Sequence, residues 1–429
     1  MSAYSIAYII CACILLVYTL KNRLDLLCIC SVCYVVYSMY CIFGIGISGF
    51  YRPKLSPMLY YCVYGQMLII LIFGMIINRI NRRKRRNQKL KGYHIPEKIK
   101  REIKFADKQL DTAFYCYTAV ICLFALINIL SVGISGFKSG KSTVWENTNV
   151  LYVVSLYGAY PSFAYGIHNR KKWIWIPSLM VELTIFFAGA RAFTATLIVI
   201  FLLERGSELW KKRKGNIKIY LLGAGAIVFL LVYRMIDQVI MQGDIGAAMR
   251  ILGQADTWSV ALEFNEPRVI IANYDYVLTQ DFRLPWQDVL YRFLDIIPGA
   301  TSIVPLKLQY SEYFSTWLQE QVHGSAGVGG TIWGESYAMF GYMGIIGATI
   351  VWLLFIKACN KHLDYSKPYS YFIVSVGTYL SWYVNRLDYN RVGQALKVTF
   401  LCFVIWAVFY LCLGGKIKVG GYAVKLKGD

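Results

Sequence analysis

The side chains best suited to chemistry in this sequence are a set of arginines, one glutamate and one histidine. Arg191 sits alone in an apolar run, FFAGARAFTATLIVIFLL. Arg250, Arg268 and Arg283 are spread through a polar passage, and Arg386 and Arg391 lie in the short turn NRLDYNRVGQ. A guanidinium fork matches the oxygens of a phosphate or diphosphate two at a time, which a lysine does not. Glu335 and His323 are the other ionisable side chains that stand out, at the end of the same polar passage. The combination predicts a reaction in which a diphosphate is held and displaced.

Each residue also has an ordinary structural reading. Arg191 is costly inside an apolar run unless it has a partner or a wet cavity. It stands where a helix start already favours an anion, but it could equally pair with Glu182 or snorkel to the surface. Arg386 has Asp388 two residues away. Glu335 suits a helix start, where carboxylates are favourable, and His323 suits a surface loop. Arg292 is flanked by Asp288 at i−4 and Asp295 at i+3 and is expected to be consumed in surface pairs.

No nucleotide-binding loop, haem motif or metal-ligand spacing occurs in the sequence, so no cofactor and no metal are expected. The energy of any reaction must then reside in the substrate, and a diphosphate-linked lipid carrier is the simplest candidate.

The elements that would position these groups lie largely in a membrane. The 429 residues are 57% hydrophobic and 16% charged, the composition of an all-α polytopic membrane protein. Apolar runs predict about eleven spans, at 3–20, 26–47, 57–77, 112–132, 150–167, 173–189, 192–204, 217–233, 338–356, 369–384 and 395–413. The net charge of +21 falls in bursts at alternate ends of these spans. That pattern reflects topology and attraction to anionic membrane lipid rather than nucleic acid. It sets the N-terminus outside and the C-terminus in the cytoplasm, with the first span retained rather than cleaved.

The expected organisation is residues 1–233 as eight membrane helices with a basic cytoplasmic loop at 78–111, then 234–337 as one large extracytoplasmic loop containing short helices. Residues 338–429 carry the last three spans and a short cytoplasmic tail. The basic loop suits a partner or a lipid headgroup, but holding topology explains it as well. The cysteines sit in apolar runs or at membrane edges, which argues for helix packing rather than disulfides.

Within this frame, 173–204 must rise and return in too few residues to cross comfortably, so a turn is predicted at Gly189-Ala190-Arg191, just below the outer surface. Residues 285–297 place Trp286, Val289, Leu290, Phe293, Leu294 and Ile297 on one helical face. Pro285 opens this helix and Pro298-Gly299 closes it; it should lie on the membrane or cap the bundle. The large loop, Arg191 and the Arg386/Arg391 turn are expected to converge, with Glu335 at the loop's far end.

FFAGARAFTATLIVI resembles the Gly-Ser/Ala-Arg signature of the O-antigen and capsule repeat-unit polymerases of the Wzy type. GGTIWGESYAMFGYMGIIGATI resembles the segment by which those proteins re-enter the membrane after their outer loop. The resemblance implies a bacterial inner-membrane glycosyltransferase that takes undecaprenyl-diphosphate-linked oligosaccharide as donor and acceptor. It implies that Arg191, Arg250, Arg268, Arg283, Arg386 and Arg391 hold diphosphate or glycan, that Glu335, and after it His323, takes the proton of the acceptor hydroxyl, and that a chain-length regulator protein is a partner. The sequence is also similar to the O-antigen ligases, which use a His in the outer loop followed by a Glu and Gly-x-x-Gly. Here His323, Glu335, Gly341 and Gly344 occupy those positions loosely. A flippase of the same lipid-linked unit is the competing class, though the internal repeats expected of such a transporter are not visible.

Overall fold

The computed structural model describes residues 2–21, 24–44, 54–88, 97–138, 144, 146–211, 225, 236, 239, 244–254, 266–304, 306–310, 313–321, 329–415, 417–419 and 422–424. The described residues are almost entirely helical. In chain order the helices are α1 (Ala3–Lys21), α2 (Leu26–Ser38, extended by a 3-10 turn to Ile42), α3 (Pro57–Gln88), α4 (Glu97–Lys138), α5 (Val150–His168), α6 (Lys172–Phe187) and α7 (Arg191–Lys211). There follow α8 (Ile245–Gly253), α9 (Glu266–Gln280), α10 (Trp286–Asp295), α11 (Phe314–Gln321), α12 (Ile332–Asn360), α13 (Ser370–Tyr383) and α14 (Tyr389–Cys412). A short antiparallel hairpin pairs Ile417–Val419 with Tyr422–Val424.

Six described helices are long and apolar enough to cross a membrane: Ala3–Lys21, Pro57–Ile80, Lys108–Gly133, Val150–His168, Ile332–Asn360 and Tyr389–Cys412. This is the build of a helical membrane protein. Large apolar side chains stand exposed along them, such as Val17, Leu130 and Val351, as helices facing hydrocarbon require. Four further expected spans are occupied by α2, α6, α7 and α13, which fall short in length or apolar character. The span expected at 217–233 lies outside the described residues apart from Gly225.

Local chemistry starts the helices. Asp25 accepts from Cys28 N–H at 3.0 Å, Asn149 from Tyr152 N–H at 3.0 Å, and Thr331 from Gly334 N–H at 3.4 Å, each capping the helix that follows.

The chain divides into two compact units. The first comprises Met1–Arg79, Ile251–Lys361 and Gly377–Lys397. Its centre is a buried polar knot: the Gln66 amide oxygen accepts from Tyr34 at 2.8 Å and Tyr274 at 3.2 Å, while its NH₂ donates to Thr349 at 3.2 Å. One side chain thus fastens α2, α3, α9 and α12 together. The second unit comprises Ile80–Arg250, His362–Val376 and Val398–Asp429. There α5 is the central helix, almost wholly buried. Gly158 lets α4 come close, since a Cβ at that position would stand 2.5 Å from Ile121. Phe114 stacks on Tyr165 at 3.9 Å and packs against Phe372 and Trp406.

Part of the region read as an outer loop packs into the first unit. Helix α9 is buried in the first unit, with Asn273 and Val277 fully enclosed. Its Asp275 carboxylate accepts from both the amide and the hydroxyl of Ser56. A helix with such polar residues reads as solvent-facing until those partners, more than two hundred residues away, are known.

Candidate functional site

The site is organised by the first turns of α12. Gly329, Gly330 and Thr331 lead into it, and Gly341 (φ +64°) breaks it, so that Ile332–Met339 forms a short helical segment before the long run to Asn360. That final run, Tyr342–Asn360, is about 28 Å at 1.5 Å per residue, close to the thickness of a bilayer core. A residue with a Cβ is strained at that φ, so glycine permits the kink.

Glu335 lies in the short segment and is fully buried. One carboxylate oxygen meets Arg292 Nε at 2.5 Å, and the other accepts from the Tyr389 N–H at 2.7 Å. Arg292 also donates to the Asp288 carbonyl at 3.0 Å. Three elements, α10, α12 and the start of α14, therefore meet on one carboxylate. The expectation that Arg292 is tied up in surface pairs is corrected here, because it is 1% exposed and its ion-pair partner is Glu335. Its two flanking acids are engaged elsewhere. Asp288 accepts from the Gln309 and Tyr310 amides, and Asp295 pairs with Lys397 at 2.7 Å.

Other arginines ring the same stretch. Arg283 donates to the Tyr337 carbonyl at 2.6 Å, lies over the Tyr337 ring and pairs with Asp281 at 2.8 Å. It also lies against Gly341, where a Cβ would stand 3.3 Å from its guanidinium. Arg386 lies against Gly329 in the same way, at 3.4 Å, and pairs with Glu266. Its alternative partner from sequence, Asp388, is instead committed to Ser315 and to the Arg391 N–H. Burial pulls the Arg386 guanidinium toward its neutral form, but Glu266, Tyr383 and Tyr37 outweigh this, and its pKa is raised. Arg391 reaches over the Tyr313 ring at 5.4 Å and lies 3.9 Å from Asp388. Gly330 allows the approach of that turn, since a Cβ there would stand 3.0 Å from Asp388 N.

Arg391 and Arg283 remain the open members, with 53% and 46% of their side chains exposed. Arg268, on α9, is half-buried with its guanidinium 5.9 Å from the centre of the Tyr40 ring. His323 lies outside the described residues.

Arg191 and Arg250 belong to the second unit. Arg250 is exposed in the last turn of α8. The turn read at Gly189-Ala190-Arg191 is present, with Gly189 at φ +94° closing α6 and Arg191 opening α7. Arg191 is half-buried and engaged, but its pairing with Glu182 is not formed. Both Glu182 carboxylate oxygens are buried with no hydrogen-bond partner among the described residues.

Sequence reasoning missed Arg292 as the partner of Glu335, and Asp388 as the anchor of the Arg391 turn. The sequence carried no local signal for the first, because Arg292 has two nearer acids at helical spacing. The glycines of GGTIWGESYAMFG carried a signal for the second.

No family model, no curated protein and no solved structure matches the chain.

Proposed function

We propose that the chain is a membrane glycosyltransferase of the repeat-unit polymerase kind, acting at the outer face of a bacterial inner membrane. In this reading it crosses the membrane eleven times, residues 234–337 lie outside, and the C-terminus lies in the cytoplasm. The observation that carries it is the gathering of Arg283, Arg292, Arg386 and Arg391 around the first turns of α12, two of them open to a ligand. Such a cluster suits a diphosphate anion.

The reaction is transfer of a glycan from undecaprenyl diphosphate to the terminal sugar of a second lipid-linked unit. The acceptor hydroxyl attacks the anomeric carbon and gives its proton to a base. The bond from that carbon to the diphosphate oxygen breaks, and undecaprenyl diphosphate leaves with the bonding electrons. Arg283 and Arg391 meet the charge that develops on the leaving oxygen, while Arg268 and Arg386 border the diphosphate and glycan. In this reading Glu335, which also positions Arg292 and Tyr389, is the first candidate for the base and His323 the second. A chain-length regulator protein is the partner expected for such an enzyme.

The test is the purified protein incubated with labelled lipid-linked repeat units. A ladder of products supports polymerisation, a single transfer to a lipid A core acceptor supports the ligase alternative, and no covalent change supports a flippase. Arg391→Ala combined with Arg283→Ala should lower the rate by about a hundredfold or more. Because both side chains are half-exposed, unfolding should shift by no more than about 1 kcal/mol. Arg191→Ala should abolish long chains while the protein stays in the membrane, and normal ladders from it would show that Arg191 takes no part in the reaction.

A further inference from the structure

The second unit holds a cleft of about 900 Å³ walled by α5, α6 and α7, at the upper end of the range for small-molecule sites. Its walls are apolar and include Phe163, Trp175, Leu197 and Phe201. Along α7 it runs from Thr194 to Arg205, about 17 Å at 1.5 Å per residue, or roughly half of a bilayer's hydrocarbon core.

The charged groups are not spread along this length but lie at one end. Arg170, in the turn between α5 and α6, and Lys172, the first residue of α6, are both exposed, and Arg205 of α7 lies at the same end of the cleft. Arg205 is held in place by donating to the Ile167 carbonyl at 3.1 Å. The neighbouring outer face of α6 carries Trp173 (80% exposed), Ile176 and Met180. An exposed tryptophan followed by exposed aliphatic residues is the pattern of a helix passing from the membrane interface into hydrocarbon.

We propose that this cleft is a binding site for an anionic glycerophospholipid. One acyl chain lies along the apolar walls, and the headgroup phosphate sits between Arg170 and Lys172 beside Arg205. Charge complementarity selects the headgroup, since a zwitterionic lipid with the same chains offers no net negative charge to three cations. The depth of one leaflet selects a lipid over a free anion. The site involves none of the residues gathered at α12 and is independent of the activity proposed above.

The experiment uses the full-length chain purified in detergent, with thermal unfolding and native mass spectrometry as readouts. Phosphatidylglycerol should raise the unfolding temperature and remain bound in the spectra. Phosphatidylcholine with identical chains, and inorganic phosphate, should do neither. Arg170→Glu with Lys172→Glu should weaken phosphatidylglycerol binding by about thirtyfold while leaving lipid-free unfolding unchanged. Ile198→Trp, which fills the cleft, should displace the lipid with the basic mouth intact. Equal retention of both phospholipids, unchanged retention in the charge-reversed protein, or a polyprenyl phosphate occupying the cleft in place of the glycerophospholipid would each overturn the proposal.

Discussion

Glu335 and Arg292 form an ion pair from which water is excluded on both sides. In such a place the charges are expensive singly and tolerable together, and removing one partner of a buried pair typically costs about 3–5 kcal/mol. Arg292→Ala should therefore lower stability by about that much in a detergent unfolding titration. Replacing both, as Arg292→Met with Glu335→Gln, should recover most of the loss, because the amide still accepts from the Tyr389 N–H. If the single variant unfolds like the unchanged protein, the pair does not hold α10, α12 and α14 together. The same two substitutions separate stability from chemistry, since the double variant should keep its fold whatever happens to turnover.

At the scale of the element, α10 faces the opposite way from an amphipathic helix in a soluble protein. Its polar residues Asp288, Arg292 and Asp295 point inward, whereas Trp286, Phe293 and Ile297 are exposed at 66%, 42% and 57%. Of the apolar face that periodicity predicted, Val289 is buried with the charges, and the direction of the rest is decided by the surrounding solvent. A helix with hydrocarbon on its outer side buries charge inside, provided that each charge has a partner, and here each does. A cysteine at Ile297 bearing an environment-sensitive dye should fluoresce as in an apolar medium and be quenched by nitroxide-labelled lipid. One at the exposed Lys307 should report water. The exposed Cys13 and Cys412 would be removed first. Water-like emission from position 297 would mean that the apolar face of α10 is covered by something other than lipid, or by nothing.

For the whole molecule, the proposed odd number of crossings sets the two ends on opposite sides of the membrane. With a membrane-impermeant thiol reagent on intact cells, Ser2→Cys should react at once and Lys427→Cys only after permeabilisation. Matching accessibility at both ends would require an even count and would undo the assignment of residues 234–337 to the outside. The count turns on α2, α6 and α13, which are helical but short, on α7, which is less apolar, and on the expected span at 217–233. Hydropathy registers length and composition, and a helix sheltered by neighbours needs neither at full value.

The sequence by itself determined where helices run and where most of them begin. Apolar length, an Asp, Asn or Thr at the start, and glycine at a left-handed turn are local properties that act within a few residues. It also marked the arginines, the Gly189–Arg191 turn and the glycines around Glu335. Only the tertiary structure decided which charge meets which. Arg292 reaches Glu335 across 43 residues and Arg386 reaches Glu266 across 120, each bypassing an acid close by in sequence. A buried charge is governed by what desolvates it and by the best-aligned partner in that space. Neither is a function of spacing along the chain, which is why Arg292 read as the least useful arginine and stands at the centre of the site.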